Sequence, residues 1–156
     1  MRRCGIDPGI EGALAWLRED FRLCDVVDMP VMMMSKTRRQ VNAAELAKTL
    51  RSWKSESEGG LIAYLEYVAS RPGAGVSGMF SFGVSYGIVQ GILGALQIPM
   101  VLVTPAQWKK RAGLVGQPKD MARTLAQRFY PEWDLSRKKD IGQADAILIA
   151  RFGDRL

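Results

Sequence analysis

The sequence predicts an α/β fold: a mixed sheet, antiparallel at its start and parallel further on, with helices on both faces. Three observations carry this. Apolar runs of strand length at 3–8, 12–18 and 21–29 are joined by short turns, the pattern of an antiparallel meander. Beyond residue 42, helical periodicity alternates with strand-length apolar runs, which gives parallel pairing. The 156 residues, 47% apolar and 24% charged, suffice for one core and show no repeat, low-complexity stretch or internal boundary. Residues 1–156 therefore read as a single domain.

The first predicted strand ends in Asp7, just before the break at Pro8-Gly9. A carboxylate at the end of a strand buried on both faces is costly unless a cation or a hydrogen-bond donor meets it. Asp7 thus reads either as a metal ligand or as the cap of the turn, a common place for Asp before Pro-Gly. The runs 12–18 and 21–29 complete the meander around the polar turn Arg18-Glu19-Asp20. Residues 30–41 read as a loop with three cations, Lys36, Arg38 and Arg39, and no acid. They suit a nucleic-acid contact or a solvated connection equally. Met32, Met33 and Met34 suit the covering of apolar surface.

Asn42 and Glu45 form a capping-box signature, and Leu46, Leu50 and Trp53 share one face of the helix that follows. Residues 61–68 are an apolar strand with Glu66 near its end. Residues 69–78 form a Gly/Pro-rich loop carrying Arg71. Residues 79–96 predict a helix in which Gly83, Gly87 and Gly91 share a face. Each glycine costs about 1 kcal/mol against alanine in a helix interior. The stripe therefore predicts close approach of another backbone, the sheet beneath or a second subunit, with the sheet favoured. Residues 98–103 form a parallel strand. Pro105 opens a short helix to Ala112, and Pro118 fits the first position of a helix to about Tyr130, with Asp120 in its first turn. A polar connection, 132–141, holds Arg137, Lys138 and Lys139, and a last helix spans 142–152.

Composition narrows the chemistry. There is no histidine, which removes His-activated nucleophiles and His-rich metal sites. Any metal would be held by oxygen, favouring Mg²⁺ or Mn²⁺. Cys4 and Cys24 read as core thiols rather than a disulfide or zinc site. The net charge of +6, from 22 basic and 16 acidic residues, biases the protein towards nucleic acid. No apolar run reaches the ~18–20 residues of a membrane span. The start, Met-Arg-Arg-Cys-Gly, lacks the apolar segment of a signal peptide. The expectation is a cytoplasmic protein with no membrane contact.

If the first strand and the 61–68 strand are adjacent and parallel, Asp7 and Glu66 meet at one sheet edge. Two carboxylates there make each other costly to ionise, and a divalent cation removes that cost. A third acid, Asp145, sits among small and apolar residues of the last helix. An aspartate on a buried helix face is rare without a partner. It is either a third ligand or half of a buried pair with an arginine. Asp140 is five residues earlier, about 500° round a helix of 3.6 residues per turn. It reaches the same place only from before the helix start, and N-capping is the plain alternative.

Gly5-Ile6-Asp7-Pro8-Gly9, the Leu65-Glu66 strand end and Ala144-Asp145-Ala146 resemble the RuvC family of Holliday-junction resolvases. The likeness is closest to the RuvC-like resolvases of bacteriophages and prophages. It continues through Met79-Phe80-Ser81-Phe82-Gly83, Tyr86-Gly87, residues 104–110, Lys119-Asp120 and Phe129-Tyr130-Pro131, missing mainly residues 18–58. The resemblance implies a ribonuclease H-like fold, a homodimer and a Mg²⁺-dependent crossover junction endodeoxyribonuclease. Such an enzyme uses two ions per active site, with Mn²⁺ able to substitute, and cuts four-way DNA junctions in recombination, repair or phage DNA processing. By position, Asp7, Glu66 and Asp145 carry over as catalytic metal ligands. In the bacterial enzymes a fourth acid lies three residues before the last, and here that position is Gly142. The phage-like proteins carry an aspartate five residues before, here Asp140, often followed by a histidine, here Ile141. Asp140 is the fourth ligand on that basis.

Lys109, Lys110 and Lys119 are the candidates for gripping phosphates near the acids, with Lys36, Arg38, Arg39 and Arg71 as further DNA contacts. Each also reads as solvated charge. Phe80 suits a wedge at the junction centre or a place in the core. Competing readings are a nuclease of the same fold acting on other branched DNA or an RNA–DNA hybrid, and a non-catalytic DNA-binding protein. The retained acids argue against the latter. A nucleotide-binding protein of the actin and sugar-kinase type needs two lobes, which this length does not provide, so no nucleotide cofactor is expected.

Overall fold

Alternation of apolar residues sorts each central strand to two faces, and the chain is built around that division. The computed structural model describes residues 1–69, 73 and 75–154. Its strands are β1 (Arg2–Asp7), β2 (Ala13–Leu17), β3 (Leu23–Asp28), β4 (Val31–Met33), β5 (Arg39–Val41), β6 (Leu61–Glu66) and β7 (Met100–Val103). Its helices are α1 (Ala43–Ser55), α2 (Val76–Ala95), α3 (Pro105–Arg111), α4 (Met121–Phe129) and α5 (Ile141–Phe152), with a 3₁₀ turn at Lys138–Asp140. Five strands form one sheet in the order β3-β2-β1-β6-β7. β1 pairs antiparallel with β2 and parallel with β6, and β6 pairs parallel with β7. The mixed sheet expected from the sequence is the one the chain forms.

Ala13, Ala15, Leu17 and Tyr64 face a core shared with α3, α4 and α5. Cys4, Ile6, Leu14, Trp16, Ala63 and Leu65 face the opposite core, with α1 and α2. In α1 the Asn42 side chain accepts from Glu45 N at 3.2 Å, and Leu46, Leu50 and Trp53 are buried. Trp53 stacks on Trp16 with centroids 5.6 Å apart. Thr104 and Gln107 form a reciprocal capping box that starts α3. Both cysteines are free thiols.

α5 lies directly on β1 because small residues face each other there. A Cβ on Gly5 would overlap the Ala146 carbonyl and the Ala150 amide, and one on Gly142 would meet the Glu11 carbonyl. The far end of α5 is tied down by charge. Arg3 donates from Nε to Ala150 O at 2.7 Å and through both terminal nitrogens to Asp154 at 2.8 Å. Tyr64 Oη adds a bond to Asp154 at 3.2 Å. Arg111 donates to the Phe152 and Gly153 carbonyls.

Five expectations change. Residues 30–41 are a hairpin, not a loop: β4 and β5 pair only with each other. Met32, Met33 and Met34 cover no apolar surface and stand exposed. The glycine stripe does not meet the sheet. A Cβ at Gly83, Gly87 or Gly91 would touch nothing, because α2 turns Ser85, Val89 and Leu93 inward instead. α2 is also long and apolar enough, by length and composition only, to cross a membrane. The interleaved glycines and serines hid that run from a search for continuous apolar sequence. Finally, α4 begins at Met121 rather than Pro118. Pro118 O accepts from Met121 N in a turn, and Asp120 gives its carboxylate to Arg123 at 2.8 Å.

Candidate active site

The register of β1 against β6 runs to Ile6 opposite Leu65, so the next step places Asp7 beside Glu66. Strand alternation then decides their direction. Gly5 and Asp7 share the face of β1 that α5 covers, and Tyr64 and Glu66 share the same face of β6. Asp145 comes from α5 on that face. The three acids therefore arrive from three elements at one edge of the sheet.

Their mutual reach is visible in Asp145. Burial pushes its carboxyl up to about 7, and the charges of Asp7 and Glu66 push the same way. Lys109 and Lys119 oppose the rise. Among the described residues no hydrogen bond or ion pair, and so no arginine, engages the Asp145 carboxylate. Asp7 does cap its own turn, accepting from Gly9 N at 3.4 Å. A Cβ on Gly12 would overlap the Asp7 backbone, so the turn closes tightly against the acid. Glu66 is oriented by Trp108, whose fully buried indole donates from Nε1 to Oε1 at 2.9 Å.

A cleft of about 820 Å³ opens over Asp7 and Asp145, with Arg39, Lys119, Lys138 and Lys139 in its walls. A smaller one of about 280 Å³ joins it at Asp145, between Lys109 and Lys119. The donors here are all oxygen. Among the described residues, no three His, Cys, Asp or Glu side chains form a ready-made cage for an ion. Mg²⁺ does not need one, because it keeps several waters and is held by one or two carboxylates plus substrate phosphate. The fit lies in the charge. A half-buried acid held from ionising by burial and two like neighbours is a deficit that a divalent cation fills.

Asp140 does not join the three. Its side chain is 1% exposed, and Arg137 takes its carboxylate through the backbone N at 2.9 Å and Nη2 at 2.7 Å. The guanidinium holds its pKa below the usual carboxylate value. Gly142, three residues before Asp145, has no room for a side chain beside the Glu11 carbonyl. Lys109 and Lys119 flank the site, whereas Lys110 is exposed on α3 and lines neither cleft. Arg39 reaches the cleft wall, paired to Glu11 at 3.1 Å, and Lys36 and Arg38 sit exposed at the hairpin tip. Phe80 is 65% exposed on α2 and not in the core. Arg71 lies outside the described residues.

Sequence reasoning missed Trp108 as the partner of Glu66, and Lys138 and Lys139 as cleft residues. The capping box at Thr104 was the available signal for Trp108, since it fixes which face of α3 turns inward. No local signal marks the two lysines, which depend on the turn that Asp140 and Arg137 hold.

No family model matches this sequence, and no curated protein matches it. Solved structures do. The chain is similar to Thermus thermophilus RuvC in complex with a Holliday junction substrate, at 18% identity and a TM-score of 0.64, covering 96% of this chain and 90% of that one. It is similar to a second Thermus thermophilus RuvC structure at 17% identity and a TM-score of 0.58, covering 96% and 91%. The yeast mitochondrial Holliday junction resolvase Ydc2 also aligns, at 20% identity and a TM-score of 0.46 over 94% of this chain and 75% of that one. The chain has the RuvC fold, a ribonuclease H-like mixed sheet.

Proposed function

We infer that this chain is a divalent-metal-dependent endonuclease that cuts four-way DNA junctions as a homodimer. One observation carries the reading. On a RuvC-type sheet, Asp7, Glu66 and Asp145 converge at one edge, and among the described residues no arginine engages Asp145, whose ionisation burial and the other two acids oppose. Asp7, Glu66 and Asp145 would hold Mg²⁺, with Mn²⁺ able to substitute. Held there, such ions would supply Lewis-acid activation of a water and charge stabilisation of the leaving 3′ oxygen.

The chain's own residues do the rest. Trp108 fixes the rotamer of Glu66, and the Gly9 amide fixes that of Asp7. Lys109 and Lys119 stand beside Asp145 and suit the scissile phosphate. Arg39, Lys138 and Lys139 extend a basic wall along the strand. The Thermus thermophilus relative was solved on a Holliday junction, which supports a branched substrate. The dimer is supported by an apolar surface left open on α2 and the edge strand. Val76 is 89% and Phe80 65% exposed on α2, Met100 and Leu102 are exposed on the edge strand β7, and the glycine stripe admits close approach.

The test is cleavage of a synthetic four-way junction across a Mg²⁺ titration, with linear duplex and RNA–DNA hybrid as controls. Paired nicks in opposite strands of the junction, absent without metal, are expected. Preferential cutting of the hybrid would overturn the substrate, and metal-independent cutting would overturn the ligand assignment. Sedimentation with and without junction checks the dimer, and a monomer in both removes it.

A further inference from the structure

Apart from Arg39, the β4–β5 hairpin takes no part in the nuclease chemistry, yet it is held firmly beside it. Its strands pair only with each other, and every residue from 31 to 39 is exposed. Both faces of the ribbon are open, so Val31, Met32, Met33 and Met34 stand in solvent at 38%, 42%, 57% and 51% exposure. Four consecutive apolar side chains on a free ribbon are an unusual surface for a protein to leave uncovered.

The base of the ribbon is fixed on both sides. Met29 is buried and donates its backbone N–H to Gly12 O at 2.9 Å, on the turn that carries Asp7. Val41 is buried and donates to Ser85 Oγ of α2 at 3.2 Å. Asn42 N closes the base on Pro30 O at 2.8 Å. Val31 and Arg39 line the same cleft as Asp7 and Asp145. The ribbon is thus continuous with the candidate active site.

Its charge selects the occupant. Residues 29–44 contain no acid, and Lys36, Arg38 and Arg39 lie at or near the tip. An apolar stretch followed by cations suits a nucleic acid whose bases are partly unstacked. Methionine and other apolar side chains wedge between base steps, and the cations meet the flanking phosphates. A two-stranded ribbon also has the width of a DNA groove. We propose that the β4–β5 ribbon is a DNA-engaging arm whose methionines, Met33 and Met34 foremost, pack on opened bases beside the scissile strand. This rests on the junction reading above.

The test is oxidative footprinting of the full chain by hydrogen peroxide, with mass spectrometry, alone and on a synthetic four-way junction without divalent metal. Met1, exposed at the opposite end of β1, is the internal control. Several-fold protection of Met32, Met33 and Met34 by the junction, with Met1 unchanged, is expected. In gel shifts, Met33→Ala with Met34→Ala should weaken junction binding several-fold with an unchanged salt slope. Lys36→Ala with Arg38→Ala should make the slope shallower by up to about two units. All four positions are exposed, so these variants fold. Junction binding with unprotected methionines overturns the arm and leaves the junction reading intact. Absence of junction binding overturns both. Protection that rises with protein concentration and needs no DNA overturns the arm in favour of a second copy of the chain.

Discussion

At the far end of α5, Asp154 is held by two N–H groups of Arg3 and by Tyr64 Oη. Arg3 itself lies over the rings of Phe21 and Tyr64 at 5.2 and 4.5 Å. Within α5, Asp145 faces two other carboxylates and, among the described residues, no guanidinium. Low exposure alone does not set the difference, since the Asp140 side chain is 1% exposed and Arg137 meets its carboxylate. Among the described residues, carboxylates that shape the fold meet arginines and Asp145 meets none. An acid whose ionisation is penalised weakens the folded state at neutral pH, which points to a ligand that supplies the missing charge.

Asp145→Asn and Asp7→Asn should each lower junction cleavage by orders of magnitude, about the loss expected when metal-held chemistry is removed. Binding should persist, since phosphate contacts dominate affinity. If either variant cuts at the wild-type rate, the ligand assignment is wrong. The same Asp145→Asn change should raise the Tm of the metal-free protein at pH 8, because a penalised charge is gone.

The signs of pH dependence differ between the two ends. The Asp145 carboxyl is raised, so the folded state keeps a proton that the unfolded chain has already released. Metal-free stability therefore falls as pH rises from the ordinary carboxylate range to about 7. The Asp154 carboxyl is lowered, chiefly by its bond to Arg3. Its contribution is present above the ordinary range and lost as pH falls through the folded value. Tm measured from pH 3 to 8 should show both limbs. Asp145→Asn should flatten the neutral limb, and Asp154→Asn the acid one. At neutral pH, Arg3→Ala should cost about 2–3 kcal/mol in denaturant unfolding, below the range for a fully buried pair because Asp154 is 35% exposed. A smaller loss would mean that α5 is seated by its small residues alone.

Asp140 sharpens the contrast. As the partner of Arg137, its replacement by Asn should lower cleavage by no more than about tenfold while Tm falls, since one buried ionic bond is lost. A loss as deep as that of Asp145→Asn, with Tm unchanged, would make it a metal ligand after all.

Much of this was legible because it followed from alternation. Asp7 and Glu66 each end an apolar strand, and parallel pairing makes those ends meet. Asp145 stood out as an acid in an otherwise apolar helix face. What stayed hidden depends on contacts distant in sequence. Arg137 engages Asp140 only because the 3₁₀ turn brings them together. Gly83, Gly87 and Gly91 mark a face but not which neighbour it meets. The hairpin at 30–41 has no Asn-Gly or Asp-Gly signal at its tip, and Ser35 forms the turn instead by accepting from Arg38 N at 3.1 Å.

The smallest expected effect separates two adjacent lysines. Lys109 acts on the Asp145 carboxyl and lines the smaller cleft, whereas Lys110 does neither. Both are exposed helix residues, so either can be replaced by alanine without loss of fold. Each phosphate contact contributes roughly one unit to the dependence of log affinity on log salt. Lys109→Ala should therefore make the slope for junction binding shallower by about one unit, and Lys110→Ala should leave it unchanged. Because Lys109 opposes the rise in the Asp145 pKa, its loss should also shift the neutral limb of the metal-free Tm profile to higher pH. A solvated lysine would move neither quantity. If Lys110 shifts the slope and Lys109 does not, the DNA runs over the outer face of α3 rather than through the cleft beside Asp145.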